Sequence, residues 1–180
     1  NTSATVGASS EDDFQIVLSN EENADETNVD TLLSNATENG ATAVLADDAS
    51  MTSTTISGLS ATFTDQNQSV TYKVYARNTG KFDAYLKNIT IGSVANKCVA
   101  AEGTTQSLVD NVCDDITMTV TVEGETPTET SVSDITSHLL EKNLSEEITI
   151  TLNYAENENA VDGDFTVNFG QITLDYNYVD

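Results

Sequence analysis

The sequence predicts an all-β protein, a jelly-roll-like antiparallel β-sandwich with one or two short helices in its loops. Three observations predict this fold. Apolar residues alternate with polar ones over several strand-length runs, which is the pattern of a half-buried antiparallel sheet. Two of these runs change phase partway, as long strands do where a sandwich bends. The 180 residues, of which 38% are hydrophobic, are enough for one core and few for two.

The alternating runs define the predicted strands. In each run every second side chain is apolar, and the intervening positions are mostly Thr, Lys, Asn or Glu. The clear runs are 14–18, 70–77, 116–123 and 148–154, and a weaker β-like region covers 41–63.

Two further runs shift their apolar set from one face to the other. In 82–91 the shift follows Leu86, and in 165–178 it coincides with Gly170. A phase shift at a glycine is typical of a β-bulge or a bend between sheets. Between the runs 70–77 and 82–91, Asn78-Thr79-Gly80 predicts a tight hairpin turn.

Two segments have helical rather than strand-like spacing. Residues 27–30 resemble a capping box ahead of Leu32 and Leu33, which predicts a short helix. Residues 131–143 place Val132, Ile135 and Leu139 at helical intervals, which predicts a second one. Both helices are expected in loops at the edges of the sandwich.

The first residues differ from the rest of the chain. We divide the sequence into an N-terminal extended segment, 1–12, and a single sandwich domain, 13–180. The segment is small, rich in Thr and Ser and uncharged up to Glu11. It fits a disordered tail, which is common at a terminus, or a strand donated to a neighbouring subunit, where small side chains let the backbone lie in a groove. The candidate donor residues are Thr2, Ser3, Ala4, Thr5, Val6, Gly7 and Ala8.

The charge limits the classes of partner. Six basic and 30 acidic residues give 6 − 30 = −24 at pH 7. Such a surface repels phosphate backbones and anionic lipids, so nucleic-acid binding is disfavoured. The apolar stretches are of strand length, and the chain starts at Asn1 rather than Met. We therefore expect a mature secreted chain that has lost its leader and does not insert into a membrane.

The two cysteines, Cys98 and Cys113, stand fifteen positions apart. A disulfide closing this loop would stabilise the fold by about 3 kcal/mol, and would imply an oxidising compartment. The alternative is two unpaired buried thiols.

Catalytic motifs are not evident. The single histidine, His138, has no second histidine at metalloprotease spacing, and we interpret it as a helix-surface or packing residue. No nucleophile elbow, phosphate loop or zinc quartet is present. The sequence therefore predicts a protein that is not an enzyme and that needs no cofactor.

Calcium is the one metal that the sequence suggests. Glu158, Asp162 and Asp164 lie in one acidic stretch, 156–164, and hard cations take carboxylate and carbonyl oxygens from loops. The register is not that of an EF-hand, and a solvated acidic turn is the alternative interpretation.

Several Asn-x-Ser/Thr sequons are candidates for N-glycosylation. Asn35, Asn67 and Asn143 fall in loop-like sequence, whereas Asn88 falls within a predicted strand and must face outward to be modified.

One stretch, 59–86, is similar to a known family. Its segment Val70-Thr71-Tyr72-Lys73-Val74-Tyr75-Ala76-Arg77-Asn78-Thr79-Gly80, followed by Asp83-Ala84, resembles the central element of the TasA/camelysin family of secreted bacterial matrix-fibre proteins, and also archaeal bundling pili and related threads. The resemblance implies a jelly roll in which this element pairs two central strands. It further implies that the N-terminal segment completes the sheet of the next subunit, which favours the donor-strand interpretation of Thr2 to Ala8.

The function expected from these features is a structural subunit of an extracellular filament, either a biofilm-matrix fibre or a pilus-like thread on the cell surface. Its partner would be further copies of the same chain, added head to tail. The alternative is a monomeric, calcium-dependent or calcium-independent, cell-surface adhesion or binding module. Camelysins have been classed as metallopeptidases, but this sequence has no zinc motif, so that activity is not expected here.

Overall fold

In the computed structural model, the described residues are 16–19, 21–23, 27–92 and 97–178, and they form two antiparallel β-sheets. The prediction of an all-β sandwich is confirmed. The strands are β1 Ile16–Ser19, β2 Thr37–Asn39, β3 Thr42–Met51, β4 Thr55–Phe63, β5 Gln68–Asn78, β6 Ala84–Ile91, β7 Lys97–Ala100, β8 Thr117–Val122, β9 Leu139–Leu140, β10 Ser145–Tyr154, β11 Phe165–Asn168 and β12 Ile172–Tyr178. A 3₁₀ helix, Val29–Asn35, and an α-helix, α1, Gln106–Cys113, complete the described elements.

The first sheet has the order β1-β5-β10-β8, with β2 also paired to β5. The second has the order β7-β11-β4-β12-β6-β9, with β3 also paired to β4. In β5 and β10 every second residue is buried, as the alternation predicts. The buried side chains of both sheets meet in one apolar cluster.

Tyr72 ties the two sheets together. It projects from β5 into the core, and its hydroxyl donates to the carbonyls of Val44 in β3, at 2.8 Å, and Ser60 in β4, at 2.6 Å. A phenol buried in this way satisfies its polar group while filling the core. Burial raises the pKa of Tyr72 to about 12.

The alternation of buried residues breaks at the same level in β4 and between β11 and β12, and we call this level of the second sheet the crease. The break between β11 and β12 lies on it, where Gly170 stands. In β4 the same level includes Gly58, which has a φ of +84°. The register of β4 against β11 and β12 is unchanged on either side, with Phe63 opposite Phe165 and Ile56 opposite Ile172. Both therefore change phase together, and the predicted phase shift at Gly170 is confirmed, within one sheet rather than between two.

The phase shift after Leu86 is also confirmed. The register of β6 against β12 changes between Asp175 and Tyr176, since Asn88 lies opposite Asp175 and Leu86 opposite Tyr176. Lys87 is the extra residue, so Leu86 and Ile89 are both buried.

The predicted hairpin at Asn78-Thr79-Gly80 is wrong. The turn joins β5 to β6, but these strands belong to different sheets, so the chain crosses the sandwich there. For the same reason the element that resembles the fibre proteins does not pair two neighbouring strands. Its two strands lie in different sheets.

The helix predictions have mixed outcomes. The 3₁₀ helix begins where the capping pattern predicts, with the Asn28 side chain accepting from the Asp30 amide. The helix predicted over 131–143 is wrong: Val132 bridges to Ile89, and Leu139–Leu140 forms β9 beside β6. Backbone pairing with the exposed edge of β6 outweighs the local helical spacing there.

The disulfide prediction is confirmed. Cys98 in β7 and Cys113 in α1 are bonded, and no described cysteine is free. The bond fastens α1, which the sequence analysis missed, to the edge of the second sheet. The Gln106 side chain closes that edge further, since it accepts from the Ala100 amide and donates to the Cys98 carbonyl.

Candidate functional site

The candidate donor residues Thr2 to Ala8 lie outside the described residues. The described chain starts at β1, where Ile16 is opposite Asn78 and Ser19 is opposite Tyr75. All residues of β1 are buried. The segment 1–15 therefore joins the sandwich at the end of the first sheet where β5 finishes.

The opposite border of the first sheet is formed by β8. The amide of Val120 donates to Thr128 at 2.8 Å and its carbonyl accepts from Thr128 at 2.9 Å, so both groups point away from β10. In an antiparallel strand the residue two positions away points the same way. Met118 therefore directs its backbone outward as well, and it has no backbone partner on that side among the described residues. This is an open strand edge, which can accept another strand.

A groove of about 200 Å³ lies beside this open edge. It lies between Met118 and the crease of the second sheet. At the crease Gly170 lets the backbone of Gly92 pack closely against it, since a β-carbon there would lie 3.2 Å from the Gly92 carbonyl oxygen. The lining consists of Ile91, Gly92, Asp114, Ile116, Thr117, Met118, Glu129, Phe169 and Gly170. Most of the surface that it exposes is polar, because Ile116, Met118 and Phe169 are almost fully buried. A groove with this lining suits a strand with small, uncharged side chains such as Thr and Ser.

Asn78 organises the end of the sandwich where β1 begins. Its side chain is fully buried and makes three hydrogen bonds, donating to the carbonyls of Phe82 at 2.8 Å and Leu140 at 3.1 Å and accepting from the Gly80 amide at 3.0 Å. Its backbone donates to Leu144 at 3.0 Å. One residue thus holds the crossing turn and the loop before β10 together, a role that the sequence analysis missed.

His138 lies in the long connection 123–144, which we call the strap because it runs from β8 along β6 to β10. Its Nδ1 is 2.8 Å from Glu125 and its Nε2 is 2.6 Å from Glu146. Tyr176 in β12 donates to the other oxygen of Glu146 at 2.6 Å. The predicted location on a helix is therefore wrong, and His138 is a buried group that links the strap to both sheets.

The protonation of this cluster follows from its geometry. Burial alone lowers the pKa of His138, but the hydrogen bonds and charges of Glu146 and Glu125 raise it above its usual value. Burial raises the pKa of Glu146, although Tyr176 and His138 partly oppose this. Burial and the Glu146 charge raise the pKa of Tyr176. The cluster therefore retains a proton to higher pH than the same groups in water, and both imidazole nitrogens are occupied by carboxylates rather than by a nucleophile.

The acidic stretch 156–164 is held by neighbouring loops. The Asp162 carboxylate accepts from the backbone amide of Thr105 at 2.8 Å and from its hydroxyl at 2.6 Å. These hydrogen bonds lower the pKa of Asp162. Within the described ranges no group of three or more His, Cys, Asp or Glu side chains could hold a metal ion. Calcium at Glu158, Asp162 and Asp164 stays a prediction without a cluster to support it.

The glycosylation candidates differ in their surroundings. Asn35, Asn67 and Asn143 are exposed, and the last two have φ angles of +62° and +68° in turns. Asn88 is half-buried, and its side-chain nitrogen donates to Asp175 at 2.7 Å. A glycan on Asn88 would be attached at the nitrogen that makes this hydrogen bond, so the three exposed positions are the better candidates.

A second groove of about 330 Å³ adjoins the crease and exposes both polar and apolar surface. Its polar lining residues are Asp48, Ser57, Lys97, Asn168 and Gln171. The Ser60 hydroxyl donates to the Asn168 carbonyl oxygen, which leaves the amide nitrogen able to donate to a ligand. Lys97 forms no ion pair with any described residue.

Comparisons with known proteins give little. No family model matches the sequence, and no curated protein matches it. Among solved structures, the carbohydrate-binding module TmCBM61 in complex with β-1,4-galactotriose is similar at a TM-score of 0.31 and 9% identity, covering 88% of this chain and 99% of that chain. A similarity at this level carries no argument about function. No helix in the described ranges has the length and apolar character needed to span a membrane.

Proposed function

We propose that this chain is a non-enzymatic structural subunit of an extracellular filament, in which residues 2–8 of one copy add as a strand to β8 of the next. The observation that carries the proposal is the open edge of β8 at Met118 beside a groove. An added strand would satisfy the outward backbone groups and cover the groove.

The positions of the donor and the groove favour a head-to-tail fibre. The N-terminal segment joins the body beside Asn78, at the end of β5. The groove lies toward the other end, since Met118 is opposite Leu152, which is opposite Val70 near the start of β5. A segment that leaves one end and a groove near the other end make a heterologous contact, which repeats into an open fibre rather than a closed dimer.

The composition of the segment supports the same proposal. Residues 1–10 carry no charged side chain, although the whole chain has a net charge of −24. An uncharged strand can enter an acidic neighbour without the repulsion that most other segments would meet. The disulfide supports an oxidising, extracytoplasmic location.

The test compares the full chain with a variant that lacks residues 1–10, using negative-stain electron microscopy. We expect filaments from the full chain and only monomers from the variant. A synthetic peptide of residues 1–10 added to the truncated protein should raise its melting temperature, because it fills the empty groove. The matched control is the same peptide with Val6→Asp, which brings a negative charge to a groove already lined by Asp114 and Glu129 and should have no effect. Normal filaments from the truncated variant would contradict strand donation.

The groove of about 330 Å³ at the crease favours a second candidate function, a cell-surface module that binds a small hydroxylated ligand such as a saccharide. Lys97, the Asn168 amide and Gln171 offer donors and acceptors within one groove. Calorimetric titration of saccharides into the full chain and into Asn168→Ala would test this. Binding that disappears in the variant supports the module, and the absence of binding to any tested saccharide counts against it.

A further inference from the structure

Exposed apolar side chains are concentrated at one end of the sandwich, around Asn78. Five large hydrophobic side chains are exposed among the described residues, and three of them, Phe82, Leu139 and Leu144, belong to this end. They are 44%, 44% and 51% exposed. Phe82 also stacks on Tyr178, with ring centroids 6.0 Å apart. Such a concentration of exposed apolar groups is typical of an interaction surface.

The surface is held in place by the buried side chain of Asn78. The carbonyls of Phe82 and Leu140 accept from it, and the Leu144 carbonyl accepts from its backbone amide. The Asp83 carboxylate accepts in addition from the backbone of Lys142. We name residues 77–83 and 139–145 the Asn78 end. Because its loops are bonded to each other, this end can present its apolar groups in one fixed arrangement.

The charges of the two ends of the sandwich differ. The Asn78 end holds three of the six basic residues of the chain, Arg77, Lys81 and Lys142, against the acidic Asp83 and Glu141, so its charge is 3 − 2 = +1. Glu123 and Glu125 are close by in the strap, and Glu125 is bonded to His138.

The opposite end consists of the loops 64–67, 101–105, 114–115 and 155–164, and we name it the acidic end. Hydrogen bonds join these loops, since Gln66 donates to the carbonyl of Asn157, which donates to Asp115. The loops contain no basic residue and eight acidic ones, which gives 0 − 8 = −8: Asp65, Glu102, Asp114, Asp115, Glu156, Glu158, Asp162 and Asp164.

We infer that the Asn78 end is a contact surface for the acidic end of a second copy of this chain. Two acidic ends repel each other, whereas the Asn78 end has a charge near zero and exposes Phe82, Leu139 and Leu144. This inference rests on the proposed function, because a strand donated from residues 2–8 leaves a linker of only residues 9–15 before β1. That linker spans at most roughly 28 Å from residue 8 to residue 16 when fully extended, so the acceptor's groove lies within that distance of the Asn78 end.

The charge test uses the full chain with Lys81→Glu and Lys142→Glu together. Assembly is followed by electron microscopy and by sedimentation velocity. We expect assembly to slow by about tenfold or more, because like charges then face each other across the contact. The matched control is Lys73→Glu with Lys97→Glu, which changes the net charge equally at positions outside both ends. Adding Glu156→Lys and Glu158→Lys to the first variant should restore assembly.

The apolar test replaces Phe82 and Leu144 by Ser, with Leu33→Ser as the control on an exposed leucine outside both ends. The double variant should assemble poorly and the control normally, while the melting temperatures show that all variants are folded. If the variants of the Asn78 end assemble as the controls do, the contact is overturned while the proposed filament stands.

If the wild-type chain forms no filament, the proposed function fails instead. Sedimentation velocity then tests the contact between the Asn78 end and the acidic end without any filament. Concentration-dependent association that Lys81→Glu with Lys142→Glu abolishes supports it, and the absence of association overturns it.

Discussion

His138 shows how the surroundings of one residue set its chemistry. Its two nitrogens are within hydrogen-bonding distance of Glu125 and Glu146. A carboxylate can only accept, so two ionised carboxylates require an imidazole that donates from both nitrogens. The raised pKa values of His138 and Glu146 agree in direction, since each means that the folded cluster keeps a proton that the unfolded chain would lose.

This arrangement predicts a loss of stability at alkaline pH. The pKa of His138 is higher in the folded chain than the value of about 6.5 in the unfolded chain, so its stabilisation is complete below about pH 6.5 and disappears as the pH rises through the folded pKa. The raised pKa of Glu146 acts in the same direction. We expect the free energy of unfolding, measured by urea denaturation, to fall as the pH is raised above about 6.5.

The control for this prediction is His138→Gln. It removes the only histidine and should flatten the profile over the same window, although it also lowers stability at acidic pH by about 1–3 kcal/mol by leaving the buried Glu146 without its partner. A wild-type profile that stays parallel to that of the variant would show that His138 is not the titrating group.

Asn78 and Tyr72 belong to the segment that resembles the fibre proteins. The structure gives each a structural task, since Tyr72 bonds across the core and Asn78 joins two loops at one end. Their side chains act over long sequence separations, which no local pattern reveals.

At the level of elements, the crease depends on glycines in neighbouring strands. Gly58 has a φ of +84°, and a β-carbon there would lie 2.5 Å from the Cα of Ala49 in β3. Gly103, in the loop before α1, has a φ of +88° but no atom within 4 Å of such a β-carbon. The two positions share the backbone conformation and differ in the space around it.

Substitution of these glycines by alanine should separate the cost of the left-handed backbone conformation from the cost of a steric clash. Gly103→Ala should cost about 1–2 kcal/mol, the penalty of a left-handed conformation. Gly58→Ala should cost more, because the backbone of β3 must move as well. Urea unfolding of both variants measures the difference, and equal losses would mean that the crease tolerates the shift of β3 at no cost.

At the level of the whole molecule, the net charge of −24 opposes any assembly of identical copies. Salt shortens the range of this repulsion, with a Debye length of about 30 Å at 0.01 M and about 10 Å at 0.1 M. The lysines of the Asn78 end can attract only locally, so the repulsion between bodies should dominate at low salt.

We therefore expect filament assembly, followed by light scattering, to accelerate as NaCl is raised from about 0.01 M to about 0.1 M. A matching series in choline chloride controls for specific effects of sodium. Slower assembly at higher salt would contradict this balance and would show that local ion pairs at the ends outweigh the repulsion.

The sequence by itself determined the fold class, most strand positions and both phase shifts, and it favoured the disulfide over two unpaired thiols. These features follow from alternation along the chain and from the presence of only two cysteines, so they are readable from neighbouring residues. The short helix after Asn28 was predictable for the same reason, because a cap is local.

Only the tertiary structure decided which strands share a sheet and what surrounds the chemistry-bearing residues. Asn78 looked like a hairpin residue, but its side chain bonds to Leu140, 62 positions away, at a crossing between sheets. Residues 131–143 looked helical, but the edge of β6 offered them backbone partners. His138 gained its two carboxylates from that same placement, and the open edge of β8 exists because no described strand lies beside Met118. Such features depend on distant segments meeting in space, which local spacing does not encode.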